Sequence, residues 1–101
     1  MNSYSFCLYI AGHTQRSRVA EANLRALCES RLPGAYDLQV IDALKMPHVA
    51  EEKRILATPT VVRQLPLPER RVVGDLSDYL KAAEALGLPD QSTALGETGN
   101  D

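Results

Sequence analysis

Hydrophobic and polar positions change period several times along this chain, and each change marks an element. YSFCLYI at 4–10 is apolar at nearly every position, as in a strand buried on both faces. Gly12 ends that run. Thr14 is placed to cap a helix, in which Val19, Ala20, Leu24, Leu27, Cys28 and Leu32 recur at helical spacing until Pro33-Gly34 stops it. Tyr36, Leu38 and Val40 then alternate with polar residues, which predicts a second strand over 36–42. The connection between the two strands has the length of a βαβ crossover, so they pair in parallel with a right-handed link.

Pro47 fits the first turn of a short second helix carrying AEEKRIL, because its missing N–H would have no partner there. Glu51, Glu52, Lys53 and Arg54 read as the solvated face of that helix. The run ILATPTVV follows, strand-like throughout except for Pro59 in its middle. A strand over 57–63, the LPLP turn at 65–68 and a strand Arg70–Val73 together predict a hairpin. SDYLKAAEALGLP then reads as a helix: Ser77 as N-cap, Asp78 in the first turn, Gly87 as the stop and Pro89 beyond it. The order βαβαββα is that of a thioredoxin-like fold, an α/β mixed four-stranded sheet with helices on both faces. That fold commonly begins its third strand with a cis-proline, which is where Pro59 stands. A cis Thr58-Pro59 bond at the strand entrance gives up no interior ladder hydrogen bond. Residues 1–89 form one domain on this reading, and the polar run DQSTALGETGND at 90–101 a disordered tail.

Composition narrows the function classes. Eleven basic against thirteen acidic residues leave a formal net charge of -2, which makes no general case for nucleic acid or an anionic membrane. The apolar stretch Phe6–Ala11 is too short to span a bilayer and lacks the basic flank of a secretion signal, so the cytoplasm is the expected compartment. Cys7 and Cys28 form no CxxC and have no metal-type spacing with His13 or His48. They read as small core residues rather than a redox pair, and no metal or cofactor is expected. In thioredoxin-like enzymes the loop opposite the proline supplies the reactive thiol at a helix N-terminus. Here that loop is AGHTQRS. Thr14 or Ser17, with His13, Arg16 and Arg18, offers an anion site at most, and no nucleophile with its base.

VIDALKMP (40–47), AEEKRILATPT (50–60) and RRVVGDLS (70–77) carry a resemblance of another kind. With LYIAG, they make the chain similar to the KaiB family of clock proteins, in continuous register from about Tyr4 to Leu88. N-terminal domains of the clock kinase SasA also look similar. The resemblance implies a non-enzymatic protein that binds a KaiC-like ATPase ring and, in cyanobacteria, captures KaiA and displaces SasA. It also implies a metamorphic chain. The family's resting form is an oligomer, often a tetramer, with the second half of the chain rearranged; a rarer thioredoxin-like monomer binds KaiC. Prolines at the positions of Pro59, Pro66 and Pro68 isomerise in that switch.

The chain departs from the family pattern in three places. AGHTQRS replaces a loop that usually carries Asn and Pro, Gln39 stands where lysine is frequent, and Ala85 stands where glycine is common. Alanine favours a helix interior over glycine by about 0.8–1 kcal/mol, and AAEAL is poor strand material. The expectation is a chain that rests in the thioredoxin-like form as a monomer. The partner surface is expected at Asp37, Gln39, Arg54 and Arg63, with Arg70 and Arg71 as further candidates. Two other readings stand beside it: a thiol-dependent oxidoreductase, and a stress-related adaptor with other partners.

Overall fold

The computed structural model describes residues 3–90. Its elements are β1 (Tyr4–Ile10), α1 (Gln15–Arg31), β2 (Tyr36–Asp42), α2 (Pro47–Glu52), β3 (Thr60–Leu65), β4 (Arg70–Val73) and α3 (Tyr79–Ala85). The strands form one mixed sheet in the order β2-β1-β3-β4, with β1 and β2 parallel and the other two pairings antiparallel. β1 is central, which is why its sequence is apolar on both faces. Phe6, Leu8 and Ile10 meet Leu24, Leu27 and Cys28 of α1 and Ala82, Ala83 and Leu86 on the α3 side, whereas Cys7 and Tyr9 join Val62 and Ile41 with Val49 and Ile55. The expected order and sheet are therefore both found. The expected tail lies, beyond Asp90, outside the described residues.

The Thr58-Pro59 bond is cis, as are Leu65-Pro66 and Leu67-Pro68. Pro59 is buried immediately ahead of β3 and accepts from the Gly74 N–H at 2.9 Å. It thus takes part in the ladder as an acceptor only, at the position where a missing donor costs least.

Four local expectations need correction. β3 begins at Thr60 and runs to Leu65, later than the 57–63 run, because Ala57–Pro59 form the approach to the sheet. Asp78, not Ser77, caps α3, its carboxylate accepting from the Lys81 N–H at 3.2 Å. Val19 lies on the solvent side of α1, 38% exposed, while Ser17, two residues earlier and on the opposite side of the helix, is buried. α2 stops at Glu52 instead of carrying on through Leu56. Its end is a Schellman closure: the Arg54 N–H donates to Glu51 O at 3.0 Å and the Ile55 N–H to Ala50 O at 2.9 Å. Arg54 takes the left-handed position, φ 55°, that glycine usually fills. α3 ends in the same way with the usual residue, Gly87 at φ 67° donating to Glu84 O and Leu88 to Ala83 O.

A buried guanidinium completes the α3 end. Arg63 of β3 is only 4% exposed and donates to Leu86 O at 2.8 Å and Pro68 O at 2.6 Å, joining the helix terminus to the proline turn. The negative end of the helix favours a cation there. A Cβ on Gly87 would lie 2.7 Å from the Arg63 Nη1. Arg63→Ala should therefore lower the unfolding free energy by about 2–3 kcal/mol, since charge-assisted bonds are lost and buried carbonyls stranded. Gly87→Ala should cost about 1–2 kcal/mol through its left-handed backbone. Both act on one junction, so urea unfolding of the double variant should show less than the sum.

The two thiols are separated by the sheet, Cys7 on the α2 side and Cys28 on the α1 side, and both are fully buried. Burial pushes the Cys28 thiol up to about 12 and raises that of Cys7 as well. Thiolate is the reactive form, so the native protein should not react with Ellman's reagent at pH 8. In denaturant both cysteines should titrate; rapid native labelling would show that a thiol is accessible after all.

Candidate functional site

The loop that carries the thiol in thioredoxin-like enzymes is closed on itself here. Thr14 Oγ1 accepts from the Ser17 N–H at 3.1 Å, and Ser17 Oγ donates back to Thr14 O at 2.8 Å. Both hydroxyls considered for an anion are thus spent on the helix cap. The Arg18 guanidinium donates to His13 O at 2.9 Å. Asp42, at the end of β2, accepts from Gly12 N at 3.0 Å and Leu44 N at 2.9 Å, and these bonds hold its carboxyl below the usual range. The carboxylate therefore ties the β1–α1 loop to the β2–α2 loop. Among the described residues no group of three or more His, Cys, Asp or Glu side chains is placed to hold a metal ion. No described helix is long and apolar enough to cross a membrane.

With a chemical centre not assembled in that loop, the sheet face beside α2 becomes the candidate. Register places Gln39, Cys7, Val62 and Arg71 directly opposite one another across all four strands, and side-chain alternation puts them on one face. Cys7 and Val62 are covered; Gln39 and Arg71, at the two ends of the row, are exposed. Asp37 lies two residues from Gln39 on the same face, exposed, and accepts from Ser5 Oγ at 2.8 Å. Arg71 donates to the carbonyls of Lys53 and Arg54, so β4 caps the end of α2 and holds Arg54 in place. The face thus has Asp37 and Gln39 at one edge and Arg54 with Arg71 towards the other.

Two expected members belong elsewhere. Arg63 faces away from α2, into the α3 terminus, and is buried; it holds this fold together and does not present a surface charge. Arg70 is exposed but pairs with Arg63 in register and shares its face, its side chain running beside Gly87. The sequence reading missed three exposed apolar side chains on the loops flanking α2: Leu44 at 70%, Met46 at 42% and Leu56 at 95% exposure. Leu44 and Met46 fall outside any predicted element, whereas Leu56 sits where the runs read as helix and strand overlap, which hides its exposure. Pro66 and Pro68 are exposed in the β3–β4 turn, and Ala85 is exposed at the last residue of α3.

Comparison with known proteins places this geometry. The KaiB domain profile matches residues 7–88. The circadian clock oscillator protein KaiB of Synechococcus elongatus is 49% identical over 86 residues, covering 85% of this chain and 84% of that protein. KaiB of a Prochlorococcus marinus strain is likewise 49% identical over 86 residues, covering 85% and 82%. Among solved structures, the N-terminal domain of Synechococcus elongatus SasA superposes with a TM-score of 0.65 at 17% identity, over 100% of this chain and 91% of that one. Oxidised mitochondrial thioredoxin 3 from Saccharomyces cerevisiae gives 0.65 at 17% identity, over 82% and 77%. The latter two share the fold, which is α/β and thioredoxin-like; the sequence matches extend through nearly all of the described residues, and the chain belongs to the KaiB family of circadian clock proteins.

Proposed function

We propose that this chain is a non-enzymatic clock-type regulator that binds a KaiC-like ATPase ring in its thioredoxin-like fold, and that it rests in that fold as a cytoplasmic monomer. The binding surface is the α2 side of the sheet: Asp37, Gln39, Arg54 and Arg71, with Leu44, Met46 and Leu56 as apolar contacts. A SasA-like sensor domain, sharing the same scaffold, would compete for the ring, and a KaiA-like protein would join the assembled complex. An alternative tetrameric fold belongs to this reading as a second state, with Pro59, Pro66, Pro68 and Ala85 in the segments that would rearrange.

The observation that carries the proposal is Arg54. A left-handed residue at a helix end is cheapest as glycine, yet here an exposed arginine occupies it, unpaired through its own guanidinium among the described residues. Strain of that kind is kept where the side chain is needed. Arg54→Gly should raise the unfolding free energy by about 1 kcal/mol and yet weaken binding to a purified KaiC-type ring. Arg54→Glu should weaken it further with the backbone strain unchanged. Ring affinity equal to wild type in both variants would remove this surface from consideration.

Ala85 tests the resting state separately. Ala85→Gly should destabilise α3 by at most about 0.5 kcal/mol, since residue 85 closes the helix rather than lying in its interior, and shift mass from monomer toward tetramer in light scattering. A wild-type chain that is already tetrameric would refute the resting-monomer half of the proposal.

A further inference from the structure

The β4 edge of the sheet carries a second surface, which shares Arg71 with the proposed ring-binding face but does not depend on that reading. β4 pairs only with β3, so its outer side is a free edge. The Gly74 N–H donates to Pro59 O, which fixes the alternation of the ladder: Val72 and Arg70 bond toward β3, and Arg71 and Val73 turn their N–H and C=O groups outward. Neither outward N–H has a partner among the described residues. Beside this edge, on the α3 face, lies a cavity of about 320 Å³ whose lining includes Val72, Ala82 and Ala85 with Arg16 and Lys81 as well as Asp75 and Asp78. On the other face Arg71 stands exposed next to the edge.

Two of the acidic groups at this edge bond main-chain N–H groups. Asp75 accepts from the Ser77 N–H at 3.1 Å and Asp78 from the Lys81 N–H at 3.2 Å. Arg16, Arg70, Arg71 and Lys81 outnumber Glu69, Asp75 and Asp78 and leave the edge with a small basic surplus, the Arg71 guanidinium also donating to the Lys53 and Arg54 carbonyls. Any strand added here would turn alternate side chains into the cavity and toward Arg71. From these features we infer that the β4 edge is a docking site for an extended segment of a partner protein in which apolar and acidic residues alternate, the apolar ones seating in the cavity beside Ala85 and the acidic ones facing Arg71. Main-chain bonds to Arg71 and Val73 supply the pairing, and the alternate pockets supply the selection.

The probe is the blocked hexapeptide EVEVEV, titrated into the isotope-labelled full chain and followed through backbone amide resonances. The expected result is saturable shifts and slowed exchange at Arg71 and Val73, with Asp37 and Gln39 unmoved. The peptide KVKVKV should give none of this, and raising the salt should weaken EVEVEV binding. Val73→Pro removes an outward N–H without breaking a β3–β4 bond, and Ala85→Leu fills the cavity from an exposed helical position. Each should weaken EVEVEV by about tenfold or more while the remaining spectrum shows an intact fold. Shifts confined to β2, equal response to KVKVKV, or unchanged affinity in both variants would overturn the inference. So would self-association without peptide that protects β2 and β4 amides together, which would assign the edge to a second copy of this chain.

Discussion

A cation with no carboxylate partner among the described residues, Arg63, sits between the end of α3 and the β3–β4 turn. Arg63 takes its bonds from main-chain carbonyls at two places that local sequence would leave independent, the end of α3 and the turn holding Pro66 and Pro68. Its Nε finds no acceptor, so the burial is not free; an unmet buried donor costs about 1–3 kcal/mol. What offsets that cost is the negative end of α3 and the number of otherwise stranded carbonyls the group satisfies. Arg71 does the matching job on the other face, where it donates to Lys53 and Arg54 carbonyls at the end of α2. The β3–β4 hairpin therefore grips one helix terminus on each side of the sheet. Both helices take their position from the hairpin, through two arginines that successive strands point in opposite directions.

This arrangement also explains what the sequence made legible. Strand β1, helix α1 and the βαβ crossover are legible from apolar periodicity together with the stops at Gly12 and Pro33-Gly34 and the cap at Thr14, although Val19 falls outside the buried stripe. The cis-proline at Pro59 was legible because a thioredoxin-like order predicts one there. Arg63 was misread because a charge in a strand looks like a surface residue until a helix terminus is known to lie over it. The end of α2 was misread for a related reason. AEEKRIL has helical propensity throughout, and only the tertiary capping by Arg71 together with the burial of Ile55 turns the chain at Arg54. Such long-range carbonyl contacts leave no periodic trace.

The thioredoxin frame is kept here without its usual chemistry. The helix end that could activate a thiol is closed by Thr14 and Ser17, and the two thiols present lie buried on opposite faces of the sheet. What the frame presents instead is surface: a partly covered sheet face beside a six-residue helix, flanked by loops with exposed leucines. α2 is too short to cover the whole face, and the uncovered part is where Asp37 and Gln39 stand. Membership of the KaiB family and this arrangement of surface point the same way, toward recognition.

The two free edges of the sheet differ in kind, which bears on how one small domain can hold more than one partner. β2 runs seven residues from Tyr36 to Asp42 and carries Asp37 and Asp42, whereas β4 has four residues, two of them arginines. Short charged edges resist indiscriminate strand pairing, so any segment accepted at β4 must bring acid as well as an apolar side chain. β2 rejects the same segment by like charge at Asp37. That asymmetry matters for selection, because two edges of opposite sign on one sheet accept segments of different charge, while Arg71, shared by the β4 edge and the face beside α2, links the two surfaces.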